Sequence, residues 1–234
     1  MLPLLKLLNN ILLNIKKAGY HCVSCFFTFF PPFQLVRLTA MHLHDRFAEF
    51  LSASEIIEAT PALLNDQRRR FVSSPDIVLQ PNSIESVQKI MRFCFENRIR
   101  VTPQGGNTGL CGATVTTEGV LLNLSKLNRI RDINLADNSM TVEAGVILQN
   151  AQKAAAEAGR LFPLSLASEG SCQIGGNIAC NAVGLNVLRY GSMRDLVLGL
   201  EVVLPNGELV SHLQPLHKNT TGYDLRHLFI GSEG

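Results

Sequence analysis

A glycine-rich loop directly after a predicted strand is the feature that most constrains this chain. The β-branched stretch Ile99–Thr102 is typical of a strand, and it leads through Pro103 into Gln104–Leu110, which contains three glycines. Glycine permits positive φ and has no Cβ to separate the backbone from a ligand. Successive backbone N–H groups in such a loop can form an anion-binding concavity. On this loop alone, a tight turn between strands and a phosphate-binding loop both stay open.

A second loop of the same kind, Ser168–Asn177, follows further along the chain and again presents small residues, a Gly-Gly pair and an asparagine. Two such loops suit a long, kinked dinucleotide better than a mononucleotide. Neither loop carries the Gly-x-Gly-x-x-Gly pattern of the Rossmann fold. Gly176-Asn177 stands where a P-loop nucleoside triphosphatase requires Lys-Ser/Thr. The two loops therefore predict a dinucleotide site outside both of these classes.

A series of ordered motifs resembles the FAD-binding domain of the vanillyl-alcohol-oxidase/p-cresol-methylhydroxylase (PCMH-type) superfamily. The motifs run from about residue 77 to the last residue, and they are Pro103–Leu110, Val142–Val146, Pro163–Asn181, Leu188–Gly191, Val197–Pro205, Thr221–Leu225 and Gly231–Gly234. Within the superfamily, the pattern is similar to the branch that oxidises D-2-hydroxy acids: the glycolate oxidase flavin subunit and the D-lactate and D-2-hydroxyglutarate dehydrogenases. The cell-wall enolpyruvyl reductases are a weaker alternative, disfavoured by the run from Leu166 to Asn181.

The resemblance implies an α+β fold in which a small parallel α/β subdomain lies beside a larger, mainly antiparallel sheet flanked by helices, with FAD between them. Some superfamily members link FAD to a histidine of the first loop. Asn107–Gly109 contains no histidine, so FAD is expected to bind non-covalently. No catalytic residue can be assigned. The cofactor-binding residues that the resemblance implies are Pro103, Gln104, Gly105, Gly106, Asn107, Thr108, Gly109, Leu110, Gly145, Pro163, Ser168, Gly170, Ser171, Ile174, Gly175, Gly176, Asn177, Asn181, Ala182, Gly184, Tyr190, Gly191 and Val202.

Composition and resemblance divide the chain into three parts. Residues 1–40 contain no acid and are expected to be an extension outside the family: a targeting segment, a surface-binding helix, or, as favoured, a stretch translated from an over-extended start. Residues 41–72 are expected to be a helical lead-in with a helix over residues 41–59, and Arg68–Arg70 within it is a solvated basic turn or a flavin-proximal element. Residues 73–234 are the expected FAD-binding domain. The cap domain that covers the flavin ring in family members, and supplies substrate-binding residues there, is expected to be absent.

The surrounding pattern predicts the elements that carry the two loops. Ile77–Leu79 is a predicted strand, and the next helix, with Cys94 on its core face, begins at a capping box of Asn82 and Glu85. Together with Ile99–Thr102 they form a strand–helix–strand unit whose strands are expected to pair in parallel. Further predictions are a basic connector over residues 126–133, a strand at Met140–Glu143, a helix over residues 146–158 ended by Gly159, and a hairpin turning at Asn206-Gly207.

Several side chains need separate comment. Val183 replaces a glycine that is usual in the family, and it would be strained if this position required positive φ. Cys22-x-x-Cys25 lacks a second pair of ligands with suitable spacing. No metal site is expected, because the histidines also lack ligand spacing and are interpreted as surface or packing residues; these are His212, His217 and His227.

Two functions stay open on the sequence. The first is the FAD-binding portion of an oxidoreductase that oxidises a D-2-hydroxy acid by hydride transfer to FAD, with a cap-domain chain or an electron acceptor (a quinone, a cytochrome or an electron-transfer flavoprotein) as partner. The second is a catalytically inactive truncated fragment that binds FAD weakly or not at all. An exposed apolar face is expected where the cap would lie.

Charge, hydropathy and cysteine content indicate which classes of partner and which cellular compartment to expect. A formal charge of +2 without a basic stripe argues against a nucleic-acid partner. The apolar runs near the N-terminus are too short and interrupted for a transmembrane helix, which needs about 20 residues. Six scattered cysteines favour reduced thiols and a cytoplasmic location, with peripheral association with a membrane as the alternative.

Overall fold

The protein was analysed as a computed structural model, which describes residues 40–234. The predictions for the N-terminal extension, including Cys22 and Cys25, lie outside these residues. A 3-10 turn at Ala53–Glu55 accompanies the regular elements, which are α1 (Ala40–Ala48), β1 (Ile56–Ile57), α2 (Pro61–Leu64), β2 (Ile77–Leu79), α3 (Ile84–Glu96), β3 (Val101–Gln104), β4 (Val120–Asn123), β5 (Ile130–Asn134), β6 (Ser139–Val142), α4 (Leu148–Glu157), α5 (Ile174–Ala179), α6 (Val187–Tyr190), α7 (Met193–Leu196), β7 (Leu200–Val203), β8 (Leu209–His212) and α8 (Arg226–Phe229).

A four-stranded mixed sheet in the order β1-β2-β4-β3 carries the first glycine-rich loop. β4 is parallel to both β2 and β3, and β1 is antiparallel to β2. The predicted direct pairing of the two strands around α3 is wrong, because β4 inserts between them. Every residue of β2 and β4 is buried, as expected for central parallel strands covered on both faces. The first loop therefore leaves from the edge strand of a rigid sheet.

The helix α3 begins one residue later than predicted. Its N-cap is Ser83, whose hydroxyl accepts a hydrogen bond from the backbone N–H of Ser86 at 3.1 Å. The capping box of Asn82 and Glu85 is wrong because the Asn82 N–H instead donates to the carboxylate of Glu55 at 3.1 Å. The core face of α3 is as predicted, and Cys94 is buried in it.

The lead-in is an integral part of the core rather than a long helix. The predicted helix over residues 41–59 ends at Ala48, because Ser52 caps the 3-10 turn that follows and Ile56-Ile57 pairs with β2 as β1. Phe47 of α1 is fully buried, and its ring centroid lies 5.0 Å from that of Phe93. The lead-in therefore fixes the outer edge of the sheet that carries the first loop.

Outside the four-stranded sheet, the described strands form two antiparallel pairs, β5–β6 and β7–β8. The α+β class is confirmed, while the expected larger antiparallel sheet takes the form of these two pairs. β5 forms where a basic connector was predicted. The hairpin turn at Asn206-Gly207 is confirmed, with Gly207 at φ +81°. Gly159 likewise follows the end of α4 at φ +69°.

The backbone after the second loop turns at Asn181 rather than at Val183. Asn181 has a φ of +47°, and Val183 is not among the described residues with positive φ. Asparagine tolerates the left-handed region better than a β-branched side chain does. The strain considered for Val183 therefore does not arise, and its side chain is exposed.

Candidate functional site

The two glycine-rich loops touch through their backbones. A Cβ added at Gly106 would lie 2.0 Å from the carbonyl oxygen of Ser171, and one added at Gly105 would lie 3.1 Å from Oε1 of Gln173. The first distance is far below any real Cβ contact, so residue 106 has to be glycine for the loops to meet. The sequence placed both loops in one site, and the structure brings them together.

A third backbone segment, the turn at Ala144-Gly145 after β6, packs against the same region. A Cβ at Gly145 would lie 2.3 Å from the carbonyl oxygen of Leu124. The backbone N–H of Gly175 donates to the Ala144 carbonyl at 2.8 Å, and a Cβ at Gly175 would lie 2.7 Å from the Ala144 Cβ. Gly175 thus allows the first turn of α5 to contact the turn after β6, and Gly145 allows that turn to contact the backbone of residues 124–127.

A pocket of about 300 Å³ opens beside this contact. Gln173, at the N-cap of α5, is only 7% exposed. Its Nε2 donates to Ser125 Oγ at 3.0 Å, whereas its Oε1 is buried and has no hydrogen-bond partner among the described residues. An unpaired buried acceptor is costly unless a ligand or water donates to it. The pocket is lined by Ser125, Asn128, Gly145, Ile147, Asn150 and Gln173.

Five of these lining residues were not predicted: Ser125, Asn128, Ile147, Asn150 and Gln173. Gln173 lies inside the second loop, so its position was a usable signal. The other four lie outside both loops, after β4 and at the start of α4. Only the tertiary contact between Gly145 and the 124–127 backbone brings them to the pocket.

Three predicted site residues use their side chains to hold the loops. Gln104 is 2% exposed; its Nε2 donates to the Leu63 carbonyl at 2.9 Å, and its Oε1 accepts from Asn123. Asn107, at φ +51°, donates to the Asn65 carbonyl at 2.7 Å and accepts from Thr114 at 2.8 Å. Asn177 is buried. Any contact that these three make with a cofactor would come from their backbone.

Other predicted residues leave open space at the loops. A Cβ at Gly109 or Gly176 would meet nothing within 4 Å. Ile174 is buried in the core. The remaining predicted loop residues are half-buried or exposed: Pro103, Thr108, Leu110, Ser168, Gly170 and Ser171. The loops therefore present backbone and small polar groups to an open surface.

The last group of predicted residues lies around the second loop and beyond it. Asn186 Nδ2 donates to the Pro163 carbonyl at 2.9 Å, and a Cβ at Gly184 would lie 2.2 Å from the Ser165 carbonyl oxygen. The Asn181 side chain accepts from the backbone N–H of Arg194, and the Ala182 carbonyl accepts from that of Met193. The others lie outside the loop contact: Tyr190 ends α6 and Gly191 is its C-cap, while Val202 lies opposite Val210 in the β7–β8 hairpin.

A buried carboxylate, absent from the sequence predictions, fixes the turn after β6. Glu143 is 4% exposed and accepts from Nε and Nη2 of Arg129 at 3.0 and 2.8 Å, while Arg131 lies 3.5 Å away and also pairs with Glu201 of β7. Burial alone would raise the pKa of Glu143, but hydrogen bonds from Arg129 and the two guanidinium charges outweigh it and lower the pKa. This network joins β5, β6 and β7 next to Gly145.

The histidines make local contacts. His227 Nδ1 lies 2.9 Å from Arg194 Nη1, and its Nε2 lies 3.4 Å from Asp224. Within residues 40–234, no three His, Cys, Asp or Glu side chains are grouped to hold a metal ion. In the same part of the chain, no helix is both long and apolar enough to cross a membrane.

Residues 75–212 match a family model described as an FAD binding domain. The chain belongs to this family of FAD-binding domains. The match covers both glycine-rich loops, the Ala144-Gly145 turn and the β7–β8 hairpin. The resemblance noted from the motifs is thereby confirmed.

Named relatives of this FAD-binding domain include dehydrogenases of D-2-hydroxy acids. It is 42% identical over 194 residues to a D-2-hydroxyglutarate–pyruvate transhydrogenase of Saccharomyces cerevisiae, covering 80% of this chain and 39% of the relative. It is 46% identical over 170 residues to a D-2-hydroxyglutarate dehydrogenase of Xanthomonas citri pv. viticola, with coverages of 72% and 36%. A mitochondrial D-2-hydroxyglutarate dehydrogenase of Danio rerio is also 46% identical over 170 residues, with coverages of 72% and 32%. The chain thus spans between 32% and 39% of the length of these relatives.

Solved structures confirm the fold. An alkyldihydroxyacetonephosphate synthase superposes with a TM-score of 0.71 at 17% identity, covering 87% of this chain and 38% of the other. The 6-hydroxy-D-nicotine oxidase of Arthrobacter nicotinovorans superposes with a TM-score of 0.60 at 23% identity, covering 67% and 35%. The FAD-binding domain therefore has the expected PCMH-type α+β architecture.

The residues at the site fit FAD. The contact of Gly106 with Ser171 brings the glycine-rich backbones of both loops together, and glycine-rich backbone of this kind can form a site for a diphosphate. The unpaired Oε1 of Gln173 can accept a hydrogen bond from a hydroxyl or amino group, and FAD carries both kinds of group. FAD is the cofactor of the domain, and the residues that would hold it are the two loops and the Ser125–Gln173 pocket.

Removing the Gln173 amide tests the pocket. Because Oε1 is unpaired, Gln173→Leu is expected to change the stability of the FAD-free protein by less than about 1 kcal/mol, while weakening FAD binding about tenfold, the effect of one lost hydrogen bond. Ser125→Ala is the matched control, since it removes the same internal hydrogen bond and leaves Oε1 in place. The melting temperature of each variant measures its stability, and FAD titration measures its affinity for FAD. Equal FAD affinities for the two variants would contradict a role for Oε1.

Proposed function

We propose that this domain is the FAD-binding part of an oxidoreductase that oxidises a D-2-hydroxy acid. The observation that carries the proposal is the backbone contact between the loops beside a pocket with an unpaired acceptor. The names of the relatives, which are D-2-hydroxyglutarate enzymes, support the substrate class. Bound FAD supplies the acceptor for a hydride from the substrate α-carbon.

The residues of this chain would bind and orient the cofactor. The loop backbones would hold the diphosphate, and the side chains of Gln104 and Asn107 would keep the first loop in shape through their hydrogen bonds to the lead-in. No histidine occurs in Asn107–Gly109, which supports non-covalent binding. The domain division at residues 40/41 and 72/73 also remains a proposal.

An exposed apolar surface after the second loop supports a covering partner. Val183, Leu185 and Leu188 are all exposed within six residues of the chain, and several large exposed apolar side chains in one segment favour an interaction site. We propose a cap-domain polypeptide as the covering partner, with a quinone, a cytochrome or an electron-transfer flavoprotein as the electron acceptor. A cytoplasmic location, or peripheral attachment to a membrane, is part of the same proposal; fractionation tests it, and the mitochondrial name of the Danio rerio relative makes the mitochondrial fraction the competing result.

Anaerobic reduction of the bound flavin tests the activity. With a cap-domain polypeptide from a relative added, D-2-hydroxyglutarate is expected to bleach the flavin absorption, and L-2-hydroxyglutarate to leave it unchanged, because a chiral site distinguishes the enantiomers. D-lactate and glycolate serve as further substrates. Bound FAD that chemical reductants bleach, but no D-2-hydroxy acid does, would favour the alternative of a catalytically inactive fragment.

A further inference from the structure

Two exposed cysteines belong to segments that both contact Glu233. Cys111 follows the first glycine-rich loop, and Cys180 is the C-cap of α5 in the second loop region. The Cys111 thiol donates to the Glu233 carboxylate at 3.3 Å. The backbone N–H of Glu233 donates at 2.9 Å to the carbonyl of Ala179, the residue before Cys180. One residue thus contacts both cysteine-bearing segments.

The segment Gly231–Gly234 holds these two segments side by side. The Gly231 N–H donates to the Ile178 carbonyl of α5 at 3.1 Å. At the other end, Gly234 lies so close to the first loop that an added Cβ would be 2.8 Å from Cγ of Pro103. Burial, together with the charges of Glu233 and Cys111, raises the pKa of the Cys180 thiol. Glu233 therefore contacts the Cys111 thiol through its carboxylate and the segment that carries Cys180 through its backbone.

We propose that Cys111 and Cys180 form a redox-sensitive pair that closes an intramolecular disulfide between the first glycine-rich loop and α5. The other described cysteines do not compete, because Cys94 and Cys172 are buried, and thiol–disulfide exchange requires access to the attacking thiolate. Burial also raises the pKa of Cys94 to about 12. The pair is distinct from the pocket at Gln173.

The oxidant is a low-molecular-weight disulfide such as glutathione disulfide. The Cys111 thiolate attacks one sulfur of the oxidant, forms a mixed disulfide and releases one glutathione thiolate. The Cys180 thiolate then attacks the Cys111 sulfur and releases the second glutathione. The protein dithiol is oxidised, glutathione disulfide is reduced to two glutathione thiols, and the two thiol protons leave with them. No further reactant is needed.

The consequence for the cofactor rests on the proposed FAD site. A cross-link beside Pro103–Leu110 would restrain the separation of the two loops through which FAD enters and leaves. Oxidation is therefore expected to slow FAD release and FAD uptake together. The cross-link itself does not depend on FAD, so its formation can be tested separately.

Peptide mapping of the full-length chain tests the pair in a Cys22→Ser/Cys25→Ser background. The protein is incubated with glutathione disulfide at about pH 8.5, near the ordinary thiol pKa, because burial together with the Glu233 and Cys111 charges raises the pKa of Cys180. After alkylation and digestion without reductant, the expected product is a peptide in which Cys111 is linked to Cys180. In the same background, Cys180→Ser is expected to retain a glutathione adduct on Cys111.

Two results would overturn the proposal. One is a glutathione adduct on Cys111 in the parent protein while Cys180 stays open to alkylation, which would show that the thiols do not reach each other. The other is no modification of either thiol under conditions that oxidise an exposed model thiol. A cross-link that forms but leaves FAD exchange unchanged would confirm the pair and contradict only its effect on the cofactor.

Discussion

Gly106→Ala is expected to lower FAD affinity about a hundredfold, corresponding to ~2.7 kcal/mol. The added Cβ would lie 2.0 Å from the Ser171 carbonyl oxygen, a backbone atom that cannot rotate away. The two loops would have to separate, and a diphosphate site formed by both loops would be disrupted. Overpacking of this kind also destabilises a fold by about 1–3 kcal/mol. FAD titration and urea unfolding of the variant measure both effects.

Gly109→Ala is the matched control in the same loop. A Cβ at Gly109 would meet nothing within 4 Å, so its free energy of unfolding is expected to stay within about 0.5 kcal/mol of the parent value. Any loss of FAD affinity in this variant would then report direct contact with the cofactor. If Gly106→Ala bound FAD as tightly as the parent protein, the loop contact would have no part in binding.

Removing the Glu143 carboxylate is expected to destabilise the fold by about 3 kcal/mol at neutral pH, the low end of the range for one partner of a buried ion pair. The Arg129 side chain is 73% exposed, so water still solvates its charge when Glu143 is removed. This solvation limits the loss of stability. The turn at Ala144-Gly145 would also lose its anchor. Urea unfolding of Glu143→Ala at pH 7 measures the effect, with Arg129→Ala expected to cost less because Arg131 still contacts the carboxylate.

The same carboxylate predicts a pH dependence. The folded pKa of Glu143 is lowered, so the unfolded chain binds a proton more readily. Its stabilising contribution is fully present above the unfolded pKa of about 4.3 and is lost as the pH falls through the folded pKa. Glu143→Gln should therefore lose less stability than the parent protein on acidification below about pH 5. If the free energy of unfolding fell by the same amount in both proteins between pH 7 and pH 3, the lowered pKa of Glu143 would be contradicted.

Other acidic groups do not obscure this comparison. The pKa values of Glu55 and Asp224 are each lowered to about 2, and they titrate in both proteins. Their contributions cancel in the difference between the parent protein and Glu143→Gln. The difference curve therefore reports Glu143 alone.

Elements whose signal is local were predictable from the sequence. The strand Ile77–Leu79 is a short apolar run, Gly159 ends its helix, and Asn206-Gly207 specifies its turn. Each depends on propensities of a few neighbouring residues, so no distant contact can easily override it. The Gly-Gly pairs of the two loops are local signals of the same kind, and the structure brings the two loops into contact.

Features that depend on distant partners were missed. The parallel strand β4 inserts between β2 and β3 because of tertiary pairing, and nothing in Ile99–Thr102 reveals it. β5 forms through antiparallel pairing with β6, and Arg131 within it pairs with the buried Glu143 that follows β6. Asn82 loses its capping role to a carboxylate 27 residues away in the sequence.

At the candidate cofactor site too, hydrogen bonds between residues distant in the chain could not be predicted from the sequence. The sequence predicted that Gln104 and Asn107 belong to the cofactor loop. It did not predict that their side chains donate hydrogen bonds to backbone carbonyls of the lead-in. The sequence also does not reveal that Gln173 Nε2 donates to Ser125 Oγ while Gln173 Oε1 has no hydrogen-bond partner among the described residues. Hydrogen-bond partners far apart in the chain decide which side chains remain for a ligand.

An absorption spectrum of the purified full-length chain, incubated with FAD and freed of excess, tests the contact between the two loops most directly. We predict flavin bands at close to one equivalent per chain, with the flavin released into the supernatant when the protein is denatured, as non-covalent binding requires. A protein that is folded by circular dichroism but colourless would contradict the account, because loops in this arrangement would then not form an FAD site.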